Sequence, residues 1–135
     1  MKIDGHCHWG YIAFEAEADP ARTGMCNSTD CQALTGGAFG VTIAAEPGSF
    51  RLLSGDPTIY VKTADSGTKR QHPFCPRCGS PIYATGLGDE PKPYSLGFGT
   101  VRQRAHFTPV RQIWTRSRAA WVTHIADIPG VEMQS

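Results

Sequence analysis

Phe74-Cys75-Pro76-Arg77-Cys78-Gly79-Ser80, followed by Pro81-Ile82-Tyr83-Ala84-Thr85, is the stretch on which the reading of this chain turns. Two cysteines separated by Pro-Arg form a C-P-x-C-G knuckle, in which one tight turn offers two thiolates to a single metal ion. Gly79 admits the left-handed backbone such a turn needs. Backbone amides in the turn can point at the sulfurs and offset their charge. A thioredoxin-type redox pair leads from a strand into a helix, whereas Ile82, Tyr83 and Thr85 are strand-forming residues. The knuckle therefore reads as half of a tetrahedral zinc site, with a redox pair or two inert buried thiols as the alternatives.

Outward from the knuckle the chain is turn-rich. It has 135 residues, with 15 glycines and 10 prolines, a composition suited to short strands rather than a helical bundle. Residues 10–18 alternate loosely and read as a strand, and 19–24 as a turn around Pro20. Residues 31–35 read as one helical turn, capped by Asp30 or Thr29 and stopped by Gly36-Gly37. Residues 39–45, 50–53, 58–63, 81–85, 94–101 and 113–115 read as strands, with a hairpin turn at 65–68. Ala119-Ala120-Trp121-Val122 is expected to pack against the last strand, and the tail from Ile128 to be extended. Strands at roughly ten-residue spacing point to a mainly β sandwich or irregular barrel. The length suits a single domain over 1–135, with a core from about 5 to 121.

Thirteen basic and twelve acidic side chains give a net charge of +1, which argues against a nucleic-acid partner. No apolar run reaches the length of a membrane span, and the first residues lack the apolar stretch of a signal peptide. The expected compartment is the cytoplasm, where thiols stay reduced.

The remaining cysteines are Cys7, in Gly5-His6-Cys7-His8-Trp9-Gly10, and Cys26 and Cys31, in Cys26-Asn27-Ser28-Thr29-Asp30-Cys31. His6 and His8 flank Cys7, but neighbouring strand residues face opposite sides, so they cannot all reach one metal. Asp30 reads as a helix cap or a general base beside Cys31. Arg77 reads as a solvated loop residue, a counter-charge to the sulfurs or a contact for an anionic substrate. Lys69-Arg70-Gln71-His72 reads as a solvated basic loop. Arg102 and Arg104 share a face if their strand continues. Phe74, Tyr83, Phe98, Trp114 and Trp121 are expected in the core, and Trp9 in the core or a wall.

Together the cysteine groups resemble the glutathione-dependent formaldehyde-activating enzyme (GFA, or CENP-V domain) family, whose pattern is C-x-C, then C-x-C-x-x-C, then F-C-x-x-C-G. Gly5 to Gly10 is similar to the first element, Cys26 to Gln32 to the second and Phe74 to Ser80 to the third. Leu96-Gly97-Phe98-Gly99-Thr100-Val101 and the segment from His106-Phe107 to Trp121 are similar to later family strands. The resemblance implies an Mss4-like fold of twisted antiparallel sheets with a zinc knuckle and very little helix. It implies one zinc site built from the first and third elements, here Cys7, Cys75 and Cys78. It implies a second, catalytic site at Cys26, Ser28 and Cys31, with Cys26 and Cys31 as metal ligands. The implied activity joins formaldehyde to glutathione as a carbon–sulfur lyase.

Two positions depart from the pattern. Trp9 stands where the first element has its second cysteine, and indole has no lone pair to give a metal. The fourth ligand is then His6, His8, water, or a thiol borrowed from Cys26 or Cys31. Ser28 stands where the second element has its middle cysteine, and a hydroxyl is a far poorer zinc ligand than a thiolate. A merged site of Cys26, Cys31, Cys75 and Cys78 is an alternative that leaves Cys7 free. Three functions follow: a zinc lyase acting on a thiol–aldehyde adduct, a zinc-stabilised binding module without that chemistry, and a redox protein using Cys26 and Cys31.

Overall fold

The computed structural model describes residues 1–134. Two strands, Lys2–His6 (β1) and Ala13–Cys26 (β2), pair antiparallel from Lys2↔Glu17 to His6↔Ala13. Their period-two alternation turns Ile3, Gly5, Phe14 and Ala16 inward and leaves Lys2, His6 and Glu15 at or near the surface. The helix Thr29–Thr35 (α1) follows, then Gly40–Ala45 (β3), Arg51–Ser54 (β4), Thr58–Thr63 (β5), Lys69–Phe74 (β6), Tyr83–Gly86 (β7), Tyr94–Gly97 (β8) and Arg111–Ile113 (β9). Pairing links all nine strands in the order β1-β2-β3-β8-β7-β6-β5, with β4 and β9 also on β2. All pairs are antiparallel except β2 with β9. The mainly β expectation holds, although one connected sheet takes the place of two facing sheets.

β2 carries the largest correction. Residues 19–24 are not a turn between elements but part of this 14-residue strand. The register shifts between Ala18 and Thr23, so Asp19, Pro20, Ala21 and Arg22 form a bulge. Pro20 cannot donate to a ladder and is tolerated where pairing lapses. Before the bulge β2 lies between β1 and β4; after it, between β3 and β9.

Other boundaries move as well. The strand expected over 94–101 stops at Gly97 and becomes the 3-10 turn Phe98–Thr100, and residues 119–122 enter the 3-10 segment Ala120–Asp127. The basic run Lys69-Arg70-Gln71-His72 is no loop: it opens β6, paired with β5 from Thr63↔Lys69 to Thr58↔Phe74. Arg102 and Arg104 do not share a strand face. Arg102 donates to Asp4 across the molecule, with a closest approach of 2.9 Å, and Arg104 begins the 3-10 turn Arg104–His106.

The core gathers Ile12, Phe14, Ile43, Ile82, Leu96, Val101 and Phe107 around two buried thiols, Cys7 and Cys75. Phe50 stacks on Phe14 and Tyr94 at centroid distances of 5.6 and 4.6 Å, extending the core on one side. Tyr83 and Phe98 pack against it half-buried, and Phe74, at the end of β6, is half-buried. Trp114 and Trp121 do not: they are 50% and 51% exposed. Their size suggested core, but Trp114 caps the 3-10 turn Thr115–Ser117 and Trp121 lies in the 3-10 segment Ala120–Asp127, outside the sheet. No described helix is long and apolar enough to cross a membrane.

Candidate metal centre

β1 ends at His6 and delivers the next residue, Cys7, into the core with no exposed surface. A tight loop follows, closed by hydrogen bonds from Gly10 N–H to Cys7 O (3.1 Å) and from Cys7 N–H to Ile12 O (3.0 Å). The Ile12 N–H then donates to Cys7 Sγ at 3.3 Å. β6 delivers the knuckle from the other side. Gly79 N–H donates to Cys75 O at 2.8 Å and Cys75 N–H to Ser80 O at 3.0 Å, a closed turn in which Gly79 has φ +79°. Arg77 N–H donates to Cys75 Sγ at 3.4 Å. Ser80 Oγ lies 3.2 Å from Cys78 Sγ and accepts His8 N–H at 3.0 Å, tying the two loops together.

The sulfurs of Cys7, Cys75 and Cys78 lie within 4.8 Å of one another, and the described residues form no other such group of three metal-ligating side chains. The Ser80 hydroxyl, then the backbone N–H groups of Ser80 and Trp9, pull the Cys78 thiol down to about 6. Burial pushes the Cys75 thiol up. Three converging thiols with N–H donors on their sulfurs suit a thiolate-loving ion such as zinc. By donor set and burial the residues fit that metal.

No imidazole joins them. His6 Nδ1 is 2.7 Å from Cys7 O, and both His6 and His8 are exposed and outside the sulfur group. Trp9 is neither core nor wall. It is 61% exposed, and the Arg77 guanidinium lies over its ring at 5.1 Å and over the Tyr11 ring at 4.1 Å. Arg77 thus stacks on two aromatic rings rather than standing free in solvent.

Cys26 and Cys31 lie outside the triad, so the merged four-cysteine site does not form. Cys26 closes β2, and Cys31 lies in the first turn of α1. The N-cap is Ser28, not Asp30 or Thr29: its Oγ accepts Cys31 N–H at 3.0 Å. The same Oγ lies 3.2 Å from Cys26 Sγ. Asp30 instead pairs with Lys62 of β5 at 2.9 Å. Burial works to raise the Cys26 thiol, but hydrogen bonds from Cys31 and Ser28 and the charge of Lys62 hold it below its usual range. Burial and the adjoining Cys26 sulfur push Cys31 up. Two thiols and a hydroxyl already committed to a helix cap do not fit a second zinc.

The reading of the sequence missed Ser80 and Lys62. Ser80 directly follows the knuckle glycine, and its hydroxyl could have been suspected there. Lys62 is distant in sequence and carries no local signal. Away from both thiol groups, a surface depression of about 280 Å³ lies beside Lys2, Glu15, Glu17 and Arg51.

The profile of the glutathione-dependent formaldehyde-activating enzyme family matches residues 2–117, a span that includes all five cysteines. The chain belongs to that family. A crystal structure of a Rhodobacter sphaeroides protein is similar in fold, with a TM-score of 0.60 at 18% identity, covering 81% of this chain and 98% of that one. No curated protein matches the sequence.

Proposed function

We propose that this chain binds zinc through Cys7, Cys75 and Cys78 and interconverts formaldehyde and a small thiol with their S-hydroxymethyl adduct, in the manner of a carbon–sulfur lyase. Glutathione is the thiol its family name suggests. The observation that carries this reading is the coincidence of a family match over residues 2–117 with three sulfurs converging within 4.8 Å. In the forward direction a carbon–sulfur bond forms and the thiol proton ends on the aldehyde oxygen; the reverse breaks that bond. When bound, zinc supplies a Lewis-acidic centre that favours the thiolate form of an incoming thiol near neutral pH.

The chain's own groups do the rest. The N–H donors of Ile12, Arg77 and Trp9 hold the three sulfurs in position. The Cys26–Ser28–Cys31 loop corresponds in sequence to the family's catalytic element, and Cys26 in it is held below the usual thiol range. All five cysteines are free, as the reducing cytoplasm we propose for this protein would keep them.

The test is elemental analysis on protein purified without added metal, together with formaldehyde consumption followed by NMR. The expected result is one zinc per chain and a saturable, glutathione-dependent rate. A zinc-replete protein with no rate above the solution reaction would favour the second reading, a zinc-stabilised binding module. That reading is supported by the loss of two family cysteines, at Trp9 and Ser28.

A further inference from the structure

Two thiols remain outside the metal centre, and the fold brings them together. Cys26 ends β2, where Gly40 of β3 stands directly opposite it in the ladder. Opposed residues of an antiparallel pair carry their side chains on one face, with Cβ atoms about 5 Å apart. Gly40 has no side chain to fill that place, and Cys31 fills it. A Cβ at Gly40 would lie 3.7 Å from Cys31 Cβ and 3.9 Å from Cys31 Sγ. The Cys31 thiol accordingly hydrogen-bonds to the Cys26 sulfur. Ser28 braces the arrangement: its Oγ lies 3.2 Å from Cys26 Sγ and accepts Cys31 N–H at 3.0 Å.

The pair is also reachable. Cys26 and Cys31 are each half-buried, whereas Cys7 and Cys75 are sealed in the core. Lys62 lies near both sulfurs, held in place by Asp30 at 2.9 Å. A cation beside a sulfur favours the thiolate, the form that attacks. Register places Arg70 opposite Lys62, and His72 opposite Tyr60 two residues away, so the same face of the β5–β6 hairpin is basic. A reactive dithiol requires two free sulfurs in contact, open to a small solute and backed by positive charge. Cys26 and Cys31 meet each of these conditions.

We propose that Cys26 and Cys31 form a reversible, peroxide-sensitive dithiol that closes into a disulfide tying the end of β2 to α1. The Cys26 sulfur attacks one oxygen of hydrogen peroxide. A sulfur–oxygen bond forms, the oxygen–oxygen bond breaks, and the second oxygen leaves as water with the proton that Cys26 gave up. The Cys31 sulfur then attacks the Cys26 sulfenic acid. The sulfur–sulfur bond forms, the sulfur–oxygen bond breaks, and the hydroxyl leaves as water with the Cys31 proton. The two thiols lose two electrons and two protons, and peroxide becomes two waters. A small dithiol reverses the change by exchange and is itself oxidised to a disulfide. Disulfides that form in a reducing compartment are typically transient and redox-sensing. The site goes beyond the zinc chemistry proposed above and does not depend on it.

The experiment treats the full chain, as purified, with one equivalent of hydrogen peroxide, alkylates the remaining thiols after unfolding and maps them by mass spectrometry. Cleavage before Asp30 separates Cys26 from Cys31, so a bond between them holds the two fragments together until it is reduced. Two of the five thiols are expected to be lost, both in that linked pair, and dithiothreitol is expected to restore them. Cys31→Ser should stop at a sulfenic acid on Cys26, captured by dimedone. Cys26→Ser should lose the fast phase of thiol oxidation.

Oxidation without linked fragments overturns the proposal, as does a bond to Cys78 in place of Cys31 or a failure of dithiothreitol to restore the thiols. An undiminished fast phase in Cys26→Ser overturns the assignment of Cys26 as the attacking sulfur.

Discussion

Cys75 and Cys78 are separated by two residues in one turn, yet their thiols are pushed in opposite directions. Cys75 is sealed in the core and raised by burial, while Cys78 meets the Ser80 hydroxyl and two backbone N–H groups and falls to about 6. Below that value the metal-free Cys78 carries a proton that zinc must displace, so zinc affinity should fall more steeply with decreasing pH below 6 than above it. Zinc release measured against pH with a chromogenic chelator would show it. Cys75→Ser should release the metal at neutral pH and abolish cooperative unfolding, since structural metal binding and folding are linked. Zinc content and thermal melting check this, and a folded, zinc-replete variant would contradict it. At this scale the knuckle was legible because its ligands are adjacent in sequence and its glycine has a stereochemical purpose. Trp9 was misread because size was taken as a sign of burial, whereas a cation above its ring can hold an aromatic residue at the surface.

The seven-residue α1 is too short to be stable by itself. It rests on the Ser28 cap at one end and Gly36, with φ +69°, at the other. Ser28→Ala should cost about 1 kcal/mol, lowering the melting temperature by about 3 °C, with faster amide exchange concentrated in α1. An unchanged exchange pattern would show that the cap does not support the helix. β1 poses a different problem, that of close approach. Gly5 pairs with Phe14 and bridges to Val101, and a Cβ there would overlap the Thr100 carbonyl oxygen and the Phe14 ring. Gly5→Ala should therefore destabilise the fold by about 1–3 kcal/mol, the range for overpacking a core, as read by denaturant melting. The existence of most strands was legible from turn residues and β-branched runs. The continuity of β2 through Pro20 was not, because a proline at a bulge and a proline in a turn look alike until the partner strands are known.

Across the whole molecule, the sheet brings charges together from distant parts of the sequence. Asp4 on β1 accepts from Arg102 and Gln103, which hold its carboxyl below the usual range. His72 on β6 is lowered by burial first and then by Arg70 and Lys62, against an opposing pull from Asp30. A lowered native pKa means that the unfolded chain binds the proton more readily. Stability is therefore full above the unfolded value and declines as pH falls towards the folded one. Melting temperature should drop in two stages, beginning near 6.5 for His72 and continuing through the carboxylate range for Asp4. His72→Gln should flatten the first stage and Asp4→Asn the second. The mainly β class could be read from the spacing of short strands, whereas the grouping of Cys7 with the knuckle followed from the family resemblance. The pairing of Lys62 with Asp30, and the separation of Cys26 and Cys31 from the triad, depend on how β5 and β6 fold over the sheet, and no local pattern encodes that.

The indole at position 9 also has a genetic meaning. Tryptophan has one codon, and both cysteine codons differ from it only at the third base. A tetrathiolate lock and the three-sulfur centre of this chain are thus a single transversion apart. If the gap beside Cys78 serves no purpose, mutation alone could readily close it. Its persistence among close descendants of this gene would then be a record of selection rather than of drift.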